Sequence, residues 1–309
     1  MLAPSDLQDE EQVDLIISNP FPLPRGVLAI LGGQGETGKS FLTLYLASQW
    51  AKQGVKTLYF SLEDSLVFTK KRLIYLAKHT ALPREIFSNL VLYRVKPQPI
   101  IDQYSLQLTS FGRKFEFYLR SQVKLLRPDV IVIDPIAFLL IKENDNAYAA
   151  AVMDVFNSIL EEANVTIILL HHLNKLAREA DGEGVNNIRG ASALTDHSRF
   201  VIEARRLSFY ATRSRRKLLA KICENAKIPQ ISSEKTARQW ILVKNTKSSH
   251  LPAHFLPFLV RLFPAPDPLN NNDESIVIKP MSHYLEALLE ELEEENNGGK
   301  SNAKKRKQY

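Results

Sequence analysis

Eight residues, Gly33-Gln34-Gly35-Glu36-Thr37-Gly38-Lys39-Ser40, follow the spacing G-x-x-x-x-G-K-[ST]. That pattern suits phosphate chemistry. Its glycines let consecutive backbone N–H groups turn inward around an anion, and a helix N-terminus behind them adds partial positive charge. In such a loop Lys39 reaches the β and γ phosphates of a nucleoside triphosphate, and the Ser40 hydroxyl coordinates Mg²⁺. The nucleotide-binding set is Gly33, Gly35, Glu36, Thr37, Gly38, Lys39 and Ser40, extended by Phe41, and the expected ligands are ATP and Mg²⁺.

Three further polar groups end apolar runs. Asp134 follows Val130-Ile131-Val132-Ile133, as an aspartate that holds Mg²⁺ does. The residue after it is Pro135, which cannot orient an attacking water, so the base must come from elsewhere. Glu63, after Thr57-Leu58-Tyr59-Phe60-Ser61-Leu62, is the best placed carboxylate; it also fits a first-turn acid of the next helix. His171-His172 close Val165-Thr166-Ile167-Ile168-Leu169-Leu170. No cysteine or third histidine accompanies them at ligand spacing, so they read as phosphate-facing or packed side chains rather than a metal site.

The elements that must position these groups alternate. Val27–Leu31 reads as a buried strand, Phe41–Trp50 as a helix, Thr57–Leu62 as a strand, and a helix follows through Ala77. Val130–Ile133 and Val165–Leu170 are further strands, Ala149–Ala163 a helix, and Trp240–Val243 a closing strand. The alternation predicts an α/β fold, a mostly parallel twisted sheet with helices on both faces. In open sheets of this class ligands bind at the carboxyl ends of the strands, where all four polar groups fall. Residues 1–24 read as a lead-in and 25–262 as the catalytic domain. Residues 263–309 read as a Pro/Asn linker, an acidic helix Met281–Glu295 and a basic disordered tail.

Composition narrows the class. Hydrophobic content of 45% in 309 residues supports a large core, and the single cysteine, Cys223, excludes an internal disulfide. The acidic start, Asp6 to Asp14, does not resemble a signal peptide, and no apolar run suffices to span a bilayer, so a cytoplasmic location is expected. A net charge of +6 suits a polyanionic partner. Basic residues concentrate from Arg199 to Lys221, which equally fits a solvated helix face.

The set Gly-Gly-x-Gly-x-x-Gly-Lys-Ser, Leu62-Glu63-Asp64, Val132-Ile133-Asp134, Leu170-His171-His172-x-x-Lys175 and Arg189-Gly190-Ala191-Ser192 resembles the RepA-type hexameric helicases of plasmids. These belong to the RecA/DnaB/KaiC group of P-loop ATPases. The resemblance implies a RecA-like domain in a ring of six subunits, with ATP between neighbours. It implies Lys39 and Ser40 on phosphates and metal, Glu63 as base, Asp134 on Mg²⁺ and His172 as γ-phosphate sensor. Arg199 matches an arginine finger supplied to the adjacent subunit, and Arg72 an arginine on the adenine. The loop 173–190, with Lys175, Arg178 and Arg189, matches the loop that faces single-stranded DNA. Two departures stand out. Lys244-Asn245-Thr246 keeps the lysine of a Lys-x-Arg motif and lacks its arginine, and the loop has no aromatic for base stacking.

The function expected is an ATP-driven helicase that moves along single-stranded DNA in replication of a plasmid, phage or mobile element, with a replication initiator or primase as further partner. Two rivals remain open: a RecA-fold recombinase or loader that binds DNA without unwinding it, and a KaiC-like nucleotide-dependent regulator.

Overall fold

The computed structural model describes residues 14–17, 22–80, 82–172, 192–206, 220, 224, 239–248, 258–267 and 270–280. The strands are β1 (Leu15–Ile17), β2 (Leu23–Pro24), β3 (Leu28–Gly33), β4 (Thr57–Ser61), β5 (Leu90–Arg94), β6 (Val130–Asp134), β7 (Thr166–His172), β8 (Phe200–Arg206), β9 (Trp240–Ser248), β10 (Phe258–Asp267) and β11 (Asn270–Pro280). The helices are α1 (Lys39–Lys52), α2 (Leu66–His79), α3 (Ser110–Leu126), α4 (Asn146–Ala163) and α5 (Ser192–Asp196). β1 and β2 form a small antiparallel ladder; the other nine strands form one sheet in the order β11-β10-β9-β8-β3-β7-β6-β4-β5. From β8 to β5 every pairing is parallel, and from β8 outward to β11 every pairing is antiparallel.

The central strands are continuous apolar runs because both of their faces are covered. Alternate residues enter opposite cores. Leu28, Ile30, Ile131, Ile133, Ile167 and Leu169 pack with Phe115 and Leu119 of α3 and Val152 and Phe156 of α4. Ala29, Leu31, Val130, Val132, Ile168 and Leu170 pack with Leu42, Leu46 and Trp50 of α1 and with Leu73 and Leu76 of α2. The expected parallel sheet with helices on both faces is the observed fold.

Some elements carry weaker sequence signals. β5 is the parallel edge of the sheet and only partly buried, so its alternation is blurred. α3 mixes aromatic residues, which favour strands, with the i, i+4 series Phe115, Leu119, Val123 that it buries. Trp240–Val243 does not close the sheet: β9 runs on to Ser248, and the β10–β11 hairpin adds two strands beyond it. The pairing therefore passes through the composition boundary at residue 262. Pro264 and Pro266 disguise β10. Its ladder with β9 covers only Phe258–Arg261, so both prolines lie where β10 pairs with β11 alone, the edge situation in which a missing N–H is tolerated. The acidic segment Met281–Glu295 and the basic tail lie outside the described residues.

α3 starts at a close approach. The Thr109 hydroxyl accepts from Gly112 N at 2.9 Å and donates to Pro99 O at 2.8 Å, which presses the first turn onto the chain at Ile100. A Cβ at Gly112 would lie 2.0 Å from Ile100 O, a backbone atom that cannot swing away. Gly112→Ala should gain about 1 kcal/mol of helix propensity and still destabilise the fold by about 2 kcal/mol net, because overpacking against the backbone outweighs it. Thermal unfolding checks this; an unchanged or raised Tm would show that α3 can shift away from Ile100.

Candidate active site

The phosphate loop begins where β3 ends. Gly33 cannot carry a side chain: a Cβ there would meet Lys39 Cγ and Cδ at 2.9 Å and Ala204 O at 3.0 Å. Gly38 takes a left-handed φ of 91° as the residue that caps α1, a conformation glycine adopts at little cost. The loop closes through Thr37 N on Gln34 O at 3.3 Å, and α1 starts with Leu42 N on Gly38 O at 2.8 Å. Among the described residues Thr37 Oγ1 is buried without a hydrogen-bond partner, a polar atom that an oxyanion or its water could satisfy. Gly35 and Glu36 are exposed at the tip, and Phe41 packs on the α1-side core.

Lys39 lies inside this cradle. Its ammonium donates to Gly33 O at 2.8 Å and Gln34 O at 3.0 Å. Burial lowers its pKa from 10.5 to about 8, against the pull of Asp134 and Glu63, both close enough to raise it. A cation held in a dry pocket by two carbonyls is poised for a stronger anionic partner.

Parallel register brings the other groups to the same edge. Gly33 lies opposite His172 and Gly32 opposite His171. Asp134 lies opposite Ser61, two residues before Glu63. Burial raises the pKa of Asp134, while hydrogen bonds from Tyr59 and Ser40 oppose that rise, the Asp64 carboxylate adds to it and Lys39 counters it. The Tyr59 hydroxyl donates to Asp134 Oδ2, and burial chiefly drives its own pKa well above the ordinary value. Ser40 and Asp134 are thus adjacent oxygen donors, and with a phosphate beside them they could hold a small hard cation such as Mg²⁺. Among the described residues no cluster of three His, Cys, Asp or Glu forms a metal site without such a phosphate. Glu63 is exposed at the rim. His171 is fully buried and His172 half-buried, with ring centroids 6.4 Å apart.

Arg72 is ion-paired with Asp64 and near enough to Tyr59 to lower its pKa; the pair engages the edge of the guanidinium, and stacking on a purine base would use its face. Arg199 stands apart. Its N–H donates to Leu28 O at 3.0 Å, at the amino end of β3, whereas the phosphate loop leaves the carboxyl end. Five residues of strand separate the two, about 16 Å, beyond the reach of an arginine side chain. The Arg199 side chain is exposed and cannot complete the site of its own chain. Lys175, Arg178 and Arg189 fall outside the described residues.

Three residues at this edge carry no motif. Tyr59 could have been suspected, since a tyrosine inside an otherwise apolar strand needs a partner for its hydroxyl. Arg94 at the end of β5 and Arg206 at the end of β8 give no such sign. Arg206 Nη2 lies 4.0 Å from where a Gly38 Cβ would stand.

The burial of Lys39 separates its structural role from its chemical one. Between pH 8 and 10.5 the unfolded chain binds more protons at this lysine than the folded one, so stability contributed there rises with pH; the penalty is full below about pH 8. Lys39→Met removes that penalty. At pH 7 its Tm without nucleotide should equal or exceed the wild type, while the upward shift that saturating ATP gives, about 2.7 kcal/mol at a hundred times Kd, disappears. A Tm several degrees lower would show that the two carbonyl bonds hold the loop together.

Among the described residues no helix is long and apolar enough to cross a membrane. Residues 7–178 match the family described as AAA domain, more than half of the chain. A segment of 64 residues, 21% of the chain, is 42% identical to the DNA repair protein RadA of Campylobacter jejuni and spans 14% of that protein's length. In structure the chain is similar to a DnaB-like replicative helicase solved for its interactions with primase: TM-score 0.53, 14% identity, 77% of this chain and 57% of the other. It is also similar to a KaiC-like protein from Pyrococcus horikoshii: TM-score 0.50, 17% identity, 83% of this chain and 91% of the other. These likenesses concern the fold. The match over residues 7–178 establishes that the chain belongs to the AAA domain family, and the phosphate loop at its expected place makes it a P-loop ATPase domain of RecA-like fold.

Proposed function

We propose that this protein hydrolyses ATP to move along and unwind single-stranded DNA, as a ring-forming helicase of the RepA type. The observation that carries the proposal is the meeting of Lys39, Ser40, Asp134, Glu63 and His172 at the carboxyl ends of the adjacent strands β3, β7, β6 and β4. Lys39 releases its loop carbonyls for the β and γ phosphates. Ser40 and Asp134 would hold Mg²⁺, which when bound would neutralise the developing charge. Glu63 orients the attacking water, and His172 follows the γ-phosphate. Arg199, remote from its own phosphate loop, can act only across a subunit boundary, where its charge stabilises the transition state of a neighbour. Lys175, Arg178 and Arg189, which follow His172 in the sequence, grip the DNA backbone, which suits sequence-neutral, salt-sensitive binding.

The DnaB-like helicase described with primase supports a replicative setting and a primase or initiator as partner. The short match to a DNA repair protein favours the rival reading, a recombinase or loader that binds DNA without unwinding it.

Glu63→Gln should bind ATP normally and lose turnover about 10²- to 10⁴-fold, the range for a general base; normal turnover would reassign the base. Mixing Arg199→Ala with Lys39→Ala should restore partial ATPase activity, because some boundaries then join an intact loop to an intact arginine. No rescue in mixed assemblies, verified by mass, removes Arg199 from the site. A forked DNA substrate separates the two readings: strand displacement that requires Lys175 and Arg189 supports the helicase, and DNA-stimulated ATPase activity without displacement supports the rival.

A further inference from the structure

The segment that carries Glu63 has no secondary structure of its own, yet it is held on three sides. On the β6 side, Leu62 N donates to Asp134 O at 2.8 Å. Within the segment, Ser61 Oγ donates to Asp64 O at 2.8 Å. On the β5 side stands Arg94, opposite Ser61 in the parallel register. One of its terminal nitrogens, Nη1, lies 3.1 Å from Ser61 O and 2.7 Å from Leu62 O and also reaches Val95 O, its two protons being shared among the three carbonyls; the other, Nη2, donates to Glu63 O at 3.4 Å. The guanidinium thus gathers the carbonyls of three consecutive residues, Ser61, Leu62 and Glu63, with that of Val95. A planar group with five donors can do this, and a lysine ammonium with three cannot match its geometry.

We propose that Arg94 is a positioning residue for hydrolysis: it fixes the backbone of residues 61–63 and thereby aims the Glu63 carboxylate at the attacking water. The proposal rests on the reading of Glu63 as base. Arg94 touches neither phosphate nor metal in this scheme. It acts on the one member of the site that is exposed at a strand end, whereas Lys39 and Asp134 are each locked by burial. A general base works only within hydrogen-bond reach of the proton it takes, and a displacement of about 1 Å can lower a rate about 10²-fold.

The test uses Arg94→Gln and Arg94→Lys in the full chain, alone and combined with Glu63→Gln. In Arg94→Gln, kcat should fall about 10- to 100-fold, while KM and the affinity for a non-hydrolysable ATP analogue stay within about two-fold. Arg94→Lys should recover only part of the loss. In the Glu63→Gln background, Arg94→Gln should lower the residual rate no further, because the two residues act as one unit. An unchanged kcat in Arg94→Gln overturns the proposal. So does an equal loss of nucleotide affinity and Tm, which marks a brace for the fold alone, and so does a full further loss in the Glu63→Gln background. A normal rate for Glu63→Gln by itself would remove the base assignment first, and the positioning role with it.

Discussion

The parallel register of β3, β7, β6 and β4 is the constraint on which the site depends. Apart from the phosphate loop, which holds both Lys39 and Ser40, its groups are far apart in sequence. Gly33 meets His172 and Ser61 meets Asp134 only because the four strands run in parallel register, with β3 and β7 extending about two residues past β6 and β4. Side chains in a strand alternate faces, so a slip of one residue would turn Tyr59 away from Asp134 and reverse which core each apolar residue enters. The two cores prevent that slip: Ile131 and Ile133 belong to one, Val130 and Val132 to the other. The packing energy of the sheet thus holds the chemistry in place.

That edge concentrates charge in a dry environment. Lys39 and Asp134 are both buried, and each has its pKa displaced by desolvation toward neutrality. Local partners oppose both shifts: the carboxylates of Asp134 and Glu63 for Lys39, and the hydroxyls of Tyr59 and Ser40 for Asp134. Such groups stabilise the fold poorly. They are well suited to receive a phosphate and a cation, which exchange weak internal bonds for strong ones. The glycines serve the same end. Gly33 leaves room for the stem of Lys39, and Gly38 turns the chain so that α1 starts directly at the end of the loop.

Much of this was legible in the sequence. Strands buried on both faces write themselves as apolar runs, and their ends are marked by the first polar residue. The P-loop, Asp134, Glu63 and the two histidines could therefore be assigned to one edge of one sheet. What stayed hidden depends on which strand lies beside which. Tyr59 and Asp134 are 75 positions apart, and Arg94 and Ser61 are 33 apart. No local pattern reports such pairings. The β10–β11 hairpin was hidden for another reason: its prolines and asparagines are turn formers by composition, and they occupy strand positions where only one ladder is made.

The central claim is that Lys39 and Ser40 hold placeholder bonds that ATP and Mg²⁺ replace. A crystal structure with Mg²⁺ and a non-hydrolysable ATP analogue tests it most directly. The account predicts Lys39 Nζ on the phosphates and off Gly33 O and Gln34 O, and the Ser40 hydroxyl on the metal. It also predicts Asp134 still bonded to Tyr59. Nucleotide bound at any other place, or Lys39 still on its loop carbonyls with the analogue in the cradle, would contradict it.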